Sequence, residues 1–156
     1  SSHWELYAEG CDARGVEADP EIWRVSRSVV VARSDDEARE YVLNPDGALA
    51  FWFRYIVSSF RQRGALAALA PDGHPDPNAL TWEEAAESMV TWGSEDTVVD
   101  KLVALRDEVG HFGTLTTTAH EWDDPAFCKA SMRSLAQEVM PRFAKHAEQD
   151  GGARAA

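Results

Sequence analysis

Hydrophobic positions along the chain switch repeatedly between a helical and a strand period, and each switch marks a new element. Residues 4–14 read as a helix stopped by Gly15, and WRVSRSVVVA at 23–32 alternates at first, then becomes wholly apolar. That is the pattern of a strand covered on both faces. Ser34 with Glu37 three residues on forms a capping box, and the helix it opens has Ala38, Tyr41 and Val42 on one face before Asn44-Pro45-Asp46-Gly47 interrupts it. In LAFWFRYIVSSFRQR, 49–63, apolar residues occupy nearly every side, so this helix is expected to be surrounded.

Residues 64–80, with PDGHPDPN at their centre, predict an exposed loop that leaves His74 solvated, of a length found in lids and binding loops. Thr81 and Glu84 make a second capping box for a helix over 80–89, and MVTWGS follows as a short strand and turn. Ser94 caps a helix with the stripe Val98, Leu102, Leu105, Val109, closed by Gly110 in a left-handed cap. A third strand is predicted over 112–119, either a buried one whose far end opens into a pocket or one followed by an ordinary helix cap. Asp124 and Pro125 then open a helix over 125–147 that turns Phe127, Leu135, Val139, Met140 and Phe143 to one side. The tail, 148–156, is expected to be disordered, leaving one domain over 1–147.

Strands that alternate with helices predict an α/β fold in which each return crosses over a helix onto a parallel sheet. Three strands are too few for a closed barrel, which uses eight strands and about 250 residues. The chain opens within a helix and without a methionine, so it is expected to be a piece of something longer.

Charge narrows the partners. Lys and Arg total 15 against 27 Asp and Glu, a net charge of −12 that repels nucleic acid and anionic membranes. Cys11 and Cys128 match no metal-ligand spacing and read as free thiols of a reducing cytoplasm. No signal peptide or membrane span is apparent.

In a parallel α/β fold, ligands collect where strands end. The three ends here are Ala32-Arg33-Ser34, Thr91-Trp92-Gly93-Ser94 and Thr118-Ala119-His120-Glu121-Trp122-Asp123. Gly93-Ser94 is an ordinary helix cap or a pair of N–H donors for an anion, and Glu95 and Asp96 weaken the second reading. His120 is an acid, a base or a hydrogen-bond donor. No metal site is expected from His120 and its acidic neighbours, because adjacent residues at a strand end point to opposite sides. Phe51, Trp52 and Tyr55 fill the core or wall an apolar cavity. No dinucleotide fingerprint, P-loop or nucleophile elbow is present, so no catalytic residue is named.

Three blocks, WRVSRSVVVARSDDEAREYV, WGSEDTVVDKLVALRDEVGHFGTL and TAHEWDDPAFCKASMRSLAQEVMPRF, together resemble the C-terminal part of luciferase-like flavin-dependent monooxygenases of the limonene, diketocamphane and alkanal type. The resemblance covers most of residues 4–145. It implies a partial TIM-type β/α barrel made of about the last three βα units. It also implies reduced FMN supplied by a separate flavin reductase, dioxygen as oxidant, and a terpenoid-like or long-chain carbonyl substrate. The earlier strands, which in that family carry most flavin-phosphate contacts and the principal active-site histidine, are absent here. The segment alone is therefore expected to bind FMN weakly, to be inactive, and to need the missing N-terminal barrel segment or a homo-oligomeric partner. By position the resemblance assigns Trp92, Gly93 and Ser94 to the cofactor, and His120, Trp122, Phe51, Trp52 and Tyr55 to the substrate. The alternative is a non-catalytic binding or assembly module that pairs through an open sheet edge.

Overall fold

A computed structural model describes residues 3–120 and 122–154. Helix α1 (His3–Asp12) leads into strand β1 (Arg24–Val31), followed by helices α2 (Asp35–Val42), α3 (Ala48–Gln62) and α4 (Trp82–Met89). Strand β2 (Val90–Gly93), helix α5 (Glu95–Val109), strand β3 (Thr114–Thr117) and helices α6 (Pro125–Ser134) and α7 (Met140–Arg154) complete the chain.

All strand pairs are parallel, as the crossover helices require, but the order is β2-β1-β3. Three successive units of a barrel would lie in chain order; here β1 is central, with β2 along its C-terminal half and β3 starting along its N-terminal half. The two edges differ in cover. β2 is buried at Val90, Thr91 and Gly93, whereas β3 is exposed at Thr114, Thr116 and Thr117. The third strand is thus an open edge, which goes against the buried alternative, and it is shorter than 112–119.

Alternation along β1 sends its side chains to two cores. Val30 joins Val42, Leu49, Phe53, Val57 and Leu80 under α2, α3 and α4. Val25 and Val31 join Val98, Leu102, Val139 and Phe143 under α5 and the last helices. The stripe read on α5 is confirmed at Val98, Leu102 and Leu105, all buried.

Helix α3 departs from expectation. Leu49, Ala50, Phe53 and Val57 are buried, but Phe51 is 75% exposed, Tyr55 59% and Trp52 41%. Among the described residues the helix is buried on one face, and its second aromatic face is largely exposed. Residues 64–80 are less irregular than expected: two 3-10 turns, Leu66–Leu69 and Pro77–Ala79, bury Leu66 and set Leu80 in the core. His74 is not solvated there, since its side chain is 9% exposed and its Nδ1 accepts the Asp76 N–H at 3.2 Å.

The last helix is not continuous. A π-helical turn, Leu135–Val139, separates α6 from α7. Pro141 supplies the reason, because its ring excludes the carbonyl one turn back and it has no N–H to donate. The backbone of 148–154 continues α7, against the disordered tail expected there, and Ala155 and Ala156 lie outside the described residues. The Thr81–Glu84 capping box forms in full. The Ser34 box forms by half: Ser34 Oγ accepts the Glu37 N–H, but the Glu37 carboxylate turns to the N–H and guanidinium of Arg33. Gly110 has the positive φ expected of a terminator, +86°, with an extended ψ of −172°. Among the described residues no helix is long and apolar enough to cross a membrane.

Candidate functional site

Two residues apart on β1, Ser26 and Ser28 share one face of the sheet. Each meets a polar partner from the β3 exit. Ser26 Oγ lies 3.1 Å from Thr118 Oγ1, and Ser28 Oγ lies 2.9 Å from His120 Nε2. A polar ladder thus runs up the β1–β3 seam to the strand ends, in a fold that otherwise puts Val and Leu at such positions. The signal was present in RVSRSVVV as two serines on one face of an apolar strand, but neither was singled out as a site residue.

His120 is half-buried, and burial holds its imidazole below the ordinary pKa. Neutral at pH 7, the ring has one N–H. If Ser28 donates to Nε2, that hydrogen is on Nδ1 and is free for a ligand; if Nε2 donates to Ser28, Nδ1 is an acceptor. The Trp52 ring packs against it, centroids 5.6 Å apart and planes at 47°. Residues from distant parts of the chain, 52 and 120, therefore share a wall.

Two concavities open beside this wall. A cleft of about 80 Å3 lies between the β1–β3 seam and α6, with Tyr41, Trp122, Cys128, Met132 and Leu135 around it. A wider groove of about 540 Å3 lies under α3, walled by Trp52, Phe53, Ile56, Phe60 and Met89. Ser28, Thr118 and His120 line both.

The expected substrate residues fall into two groups. His120, Trp122 and Trp52 meet at these concavities, whereas Phe51 lines neither and Tyr55 reaches the wall only through Trp52, at 6.0 Å between rings. Glu121 lies outside the described residues. Trp92, Gly93 and Ser94 also stand at a strand end, but their polar groups are engaged within the chain. Trp92 Nε1 donates to the Glu87 carbonyl at 3.2 Å, Lys101 Nζ sits 4.0 Å above the ring and donates to the Trp92 carbonyl, and the Ser94 N–H donates to Asp35 Oδ1.

Asp123 holds the site together. Its Oδ2 accepts the Ala48 N–H at 2.7 Å, and its Oδ1 accepts the Tyr41 hydroxyl at 2.9 Å. Burial pushes this carboxyl up, yet the hydrogen bonds outweigh it and hold the pKa below the usual range. The Tyr41 phenol is pushed well above its ordinary value, first by burial and then by bonds to Cys128 and Asp123. It stacks on Phe127, centroids 4.1 Å apart.

Comparison with known proteins places this geometry. No family model matches the chain. Over 143 residues it is 34% identical to 3,6-diketocamphane 1,6-monooxygenase of Pseudomonas putida, covering 90% of this chain and 37% of that protein. To 2,5-diketocamphane 1,2-monooxygenase 2 of the same organism it is 26% identical, covering 90% and 39%. The fold superposes with a TM-score of 0.77 on the oxygenating constituent of 3,6-diketocamphane monooxygenase, a type II Baeyer-Villiger monooxygenase from P. putida solved in complex with FMN. That match covers 89% of this chain and 38% of the other at 34% identity. The chain is a homologue of the luciferase-like flavin-dependent monooxygenases. It spans a little over a third of the length of the relatives it matches.

As such a homologue, it fits a flavin only in part. The hydroxyl ladder, His120 and the apolar walls suit a planar ring or an apolar substrate. Among the described residues, carboxylates accept N–H groups at the starts of α3 (Asp123 from Ala48), α4 (Glu84 from Thr81), α5 (Asp35 from Ser94) and α6 (Asp124 from Ala126 and Phe127). Arg27, on the groove wall, is the basic residue that reaches either concavity.

Proposed function

We propose that the chain is the C-terminal segment of a cytoplasmic flavin-dependent monooxygenase that acts with reduced FMN and dioxygen on an apolar, terpenoid-like or long-chain carbonyl substrate. The observation that carries this reading is the His120–Ser28 pair, set beside Trp52 at the strand ends of a fold homologous to an FMN-bound monooxygenase.

Bound reduced FMN would supply the activation of dioxygen, from a reductase elsewhere. The residues of this chain do the surrounding work. Ser28 fixes the His120 ring so that one nitrogen faces the ligand, and burial keeps the ring neutral, so it orients a ligand through a hydrogen bond without adding charge. Trp52, Trp122 and the groove residues exclude water from the reacting face. Trp92, Gly93 and Ser94 act on the cofactor from the same rim, after exchange of their internal partners. The phosphate is held by a segment outside this chain, so the segment alone binds FMN weakly and is inactive.

Grafting residues 4–145 into the Pseudomonas relative in place of the matched region tests the reading. The chimera should bind FMN and oxidise an apolar ketone, and His120→Ala should lower turnover while the melting temperature stays near that of the parent chimera. A folded chimera that fails to bind FMN overturns the assignment, and one whose turnover ignores His120 removes that residue from the site.

A second reading, a non-catalytic assembly module, is favoured by the exposed β3 edge, an open template for another strand. Sedimentation separates the two: concentration-dependent association of the isolated chain without FMN binding in the chimera favours the module.

A further inference from the structure

The segment that carries His120 touches helix α3 twice. His120 packs against Trp52, and three residues later Asp123 accepts the N–H of Ala48, one turn before Trp52 on the same helix. Two attachment points between two segments fix both the distance and the rotation between them; one would leave a pivot.

The second point is built for its purpose. Gly47 stands at the N-cap of α3 and offers no side-chain cap, a place where Ser, Thr, Asp or Asn is usual. A Cβ there would lie 3.2 Å from Asp123 Oδ2, so the missing side chain makes room for a carboxylate from 76 residues away. The other oxygen of Asp123 is fixed by the Tyr41 hydroxyl and by the N–H of Asp124.

We infer that Asp123 is a positioning residue: by capping α3 from the β3 exit loop it sets the Trp52 ring against His120 and so the shape of the groove's inner wall. The inference rests on the proposed site at His120, but its test needs neither flavin nor substrate, so the two fail separately.

The readout is the titration of His120, followed through its ring proton resonances in the intact chain. The ring is held below its ordinary pKa by burial, part of which Trp52 provides. Among the described residues, Arg27 is the charged side chain that lines the groove with it, and the titratable Tyr41 and Cys128 line the cleft on its other side. Asp123→Ala should free α3 and move the His120 midpoint up, toward that of an exposed imidazole. Asp123→Asn keeps one acceptor and should shift it less.

Loss of a helix cap alone would also destabilise α3, so the deciding variant is the double substitution Gly47→Ser with Asp123→Ala. It gives α3 a local cap and leaves the strap cut; Gly47 has φ −84°, which serine adopts freely. The melting temperature should recover toward wild type while the His120 midpoint stays raised. A midpoint unchanged in Asp123→Ala, or one that returns to wild type in the double variant, reduces Asp123 to a cap and overturns the inference.

Discussion

The Ser94 N–H donates to Asp35 Oδ1 at 2.7 Å, so a carboxylate from the start of α2 fills the N-terminus of α5. Asp35 Oδ2 also accepts the Thr97 hydroxyl at 3.0 Å. The Gly93-Ser94 turn, which by sequence offers N–H groups to an anion, therefore has an internal anion. That exchange ties α2 to the β2–α5 turn in addition to the packing of these elements.

Asp35 gives a pH prediction. The Ser94 N–H, then the Thr97 hydroxyl, hold its carboxyl below the ordinary range. A lowered folded pKa means that the unfolded chain binds more protons at acid pH. The contribution is complete above the unfolded value of about 3.9 and is lost as pH falls below it through the folded value. Asp35→Asn should flatten that acid limb in thermal melts. An acid limb unchanged by the substitution would show that the carboxylate is not held in the folded state.

Gly93 carries a backbone requirement beside that carboxylate. Its φ is +150°, and a Cβ would lie 2.6 Å from Thr97 Cγ2 and 2.9 Å from Asp35 Oδ1. Gly93→Ala should cost at least about 1–3 kcal/mol, the usual scale for a strained backbone position. Urea denaturation measures it. Thr97→Ser, which removes the crowding methyl, should recover part of the loss.

Ser131 tests a different kind of joint. The N–H of Val31, the last residue of β1, extends past the end of β3 and donates to Ser131 Oγ on α6 at 2.8 Å. Ser131 is buried, so Ser131→Ala leaves a backbone donor without a partner and should destabilise by about 1–3 kcal/mol. Ser131→Thr retains the hydroxyl and should lose less in the same denaturation series.

What the sequence revealed follows the range of the forces involved. Local signals were readable: the Thr81–Glu84 box and the Asp124-Pro125 start act within one turn of helix and the α5 stripe within about three, and the box and the start form while the stripe is buried at Val98, Leu102 and Leu105. Order in the sheet was not, because a hydrophobic strand does not name its neighbour, and β1 in the middle depends on which edges the helices cover. The exposed face of α3 was misread for a related reason: apolar character demands a cover but does not state that this chain supplies it. Of the residues at the proposed site, His120, Trp122 and Trp52 were singled out by type and place. Asp123 and Tyr41 were not, since their roles depend on contacts 75 and 82 residues apart in sequence.

His120 completes the set with a prediction in which stability and chemistry point in different directions. Among the described residues its ring makes one hydrogen bond, to Ser28, in a half-buried setting where water can replace it, so His120→Ala should cost roughly 0.5–1.5 kcal/mol, less than the loss of Ser131. Burial lowers its folded pKa, so protonation favours the unfolded chain. The stability that goes with the neutral ring is whole above the unfolded value of about 6.5 and is lost as pH falls below it toward the folded value. Wild type should therefore weaken on acidification in that window, and His120→Ala should weaken less, as denaturation at a series of pH values would record. If the two slopes agree, the ring is as hydrated in the folded chain as in the unfolded one, and a neutral, oriented imidazole is lost as the basis of the proposed site.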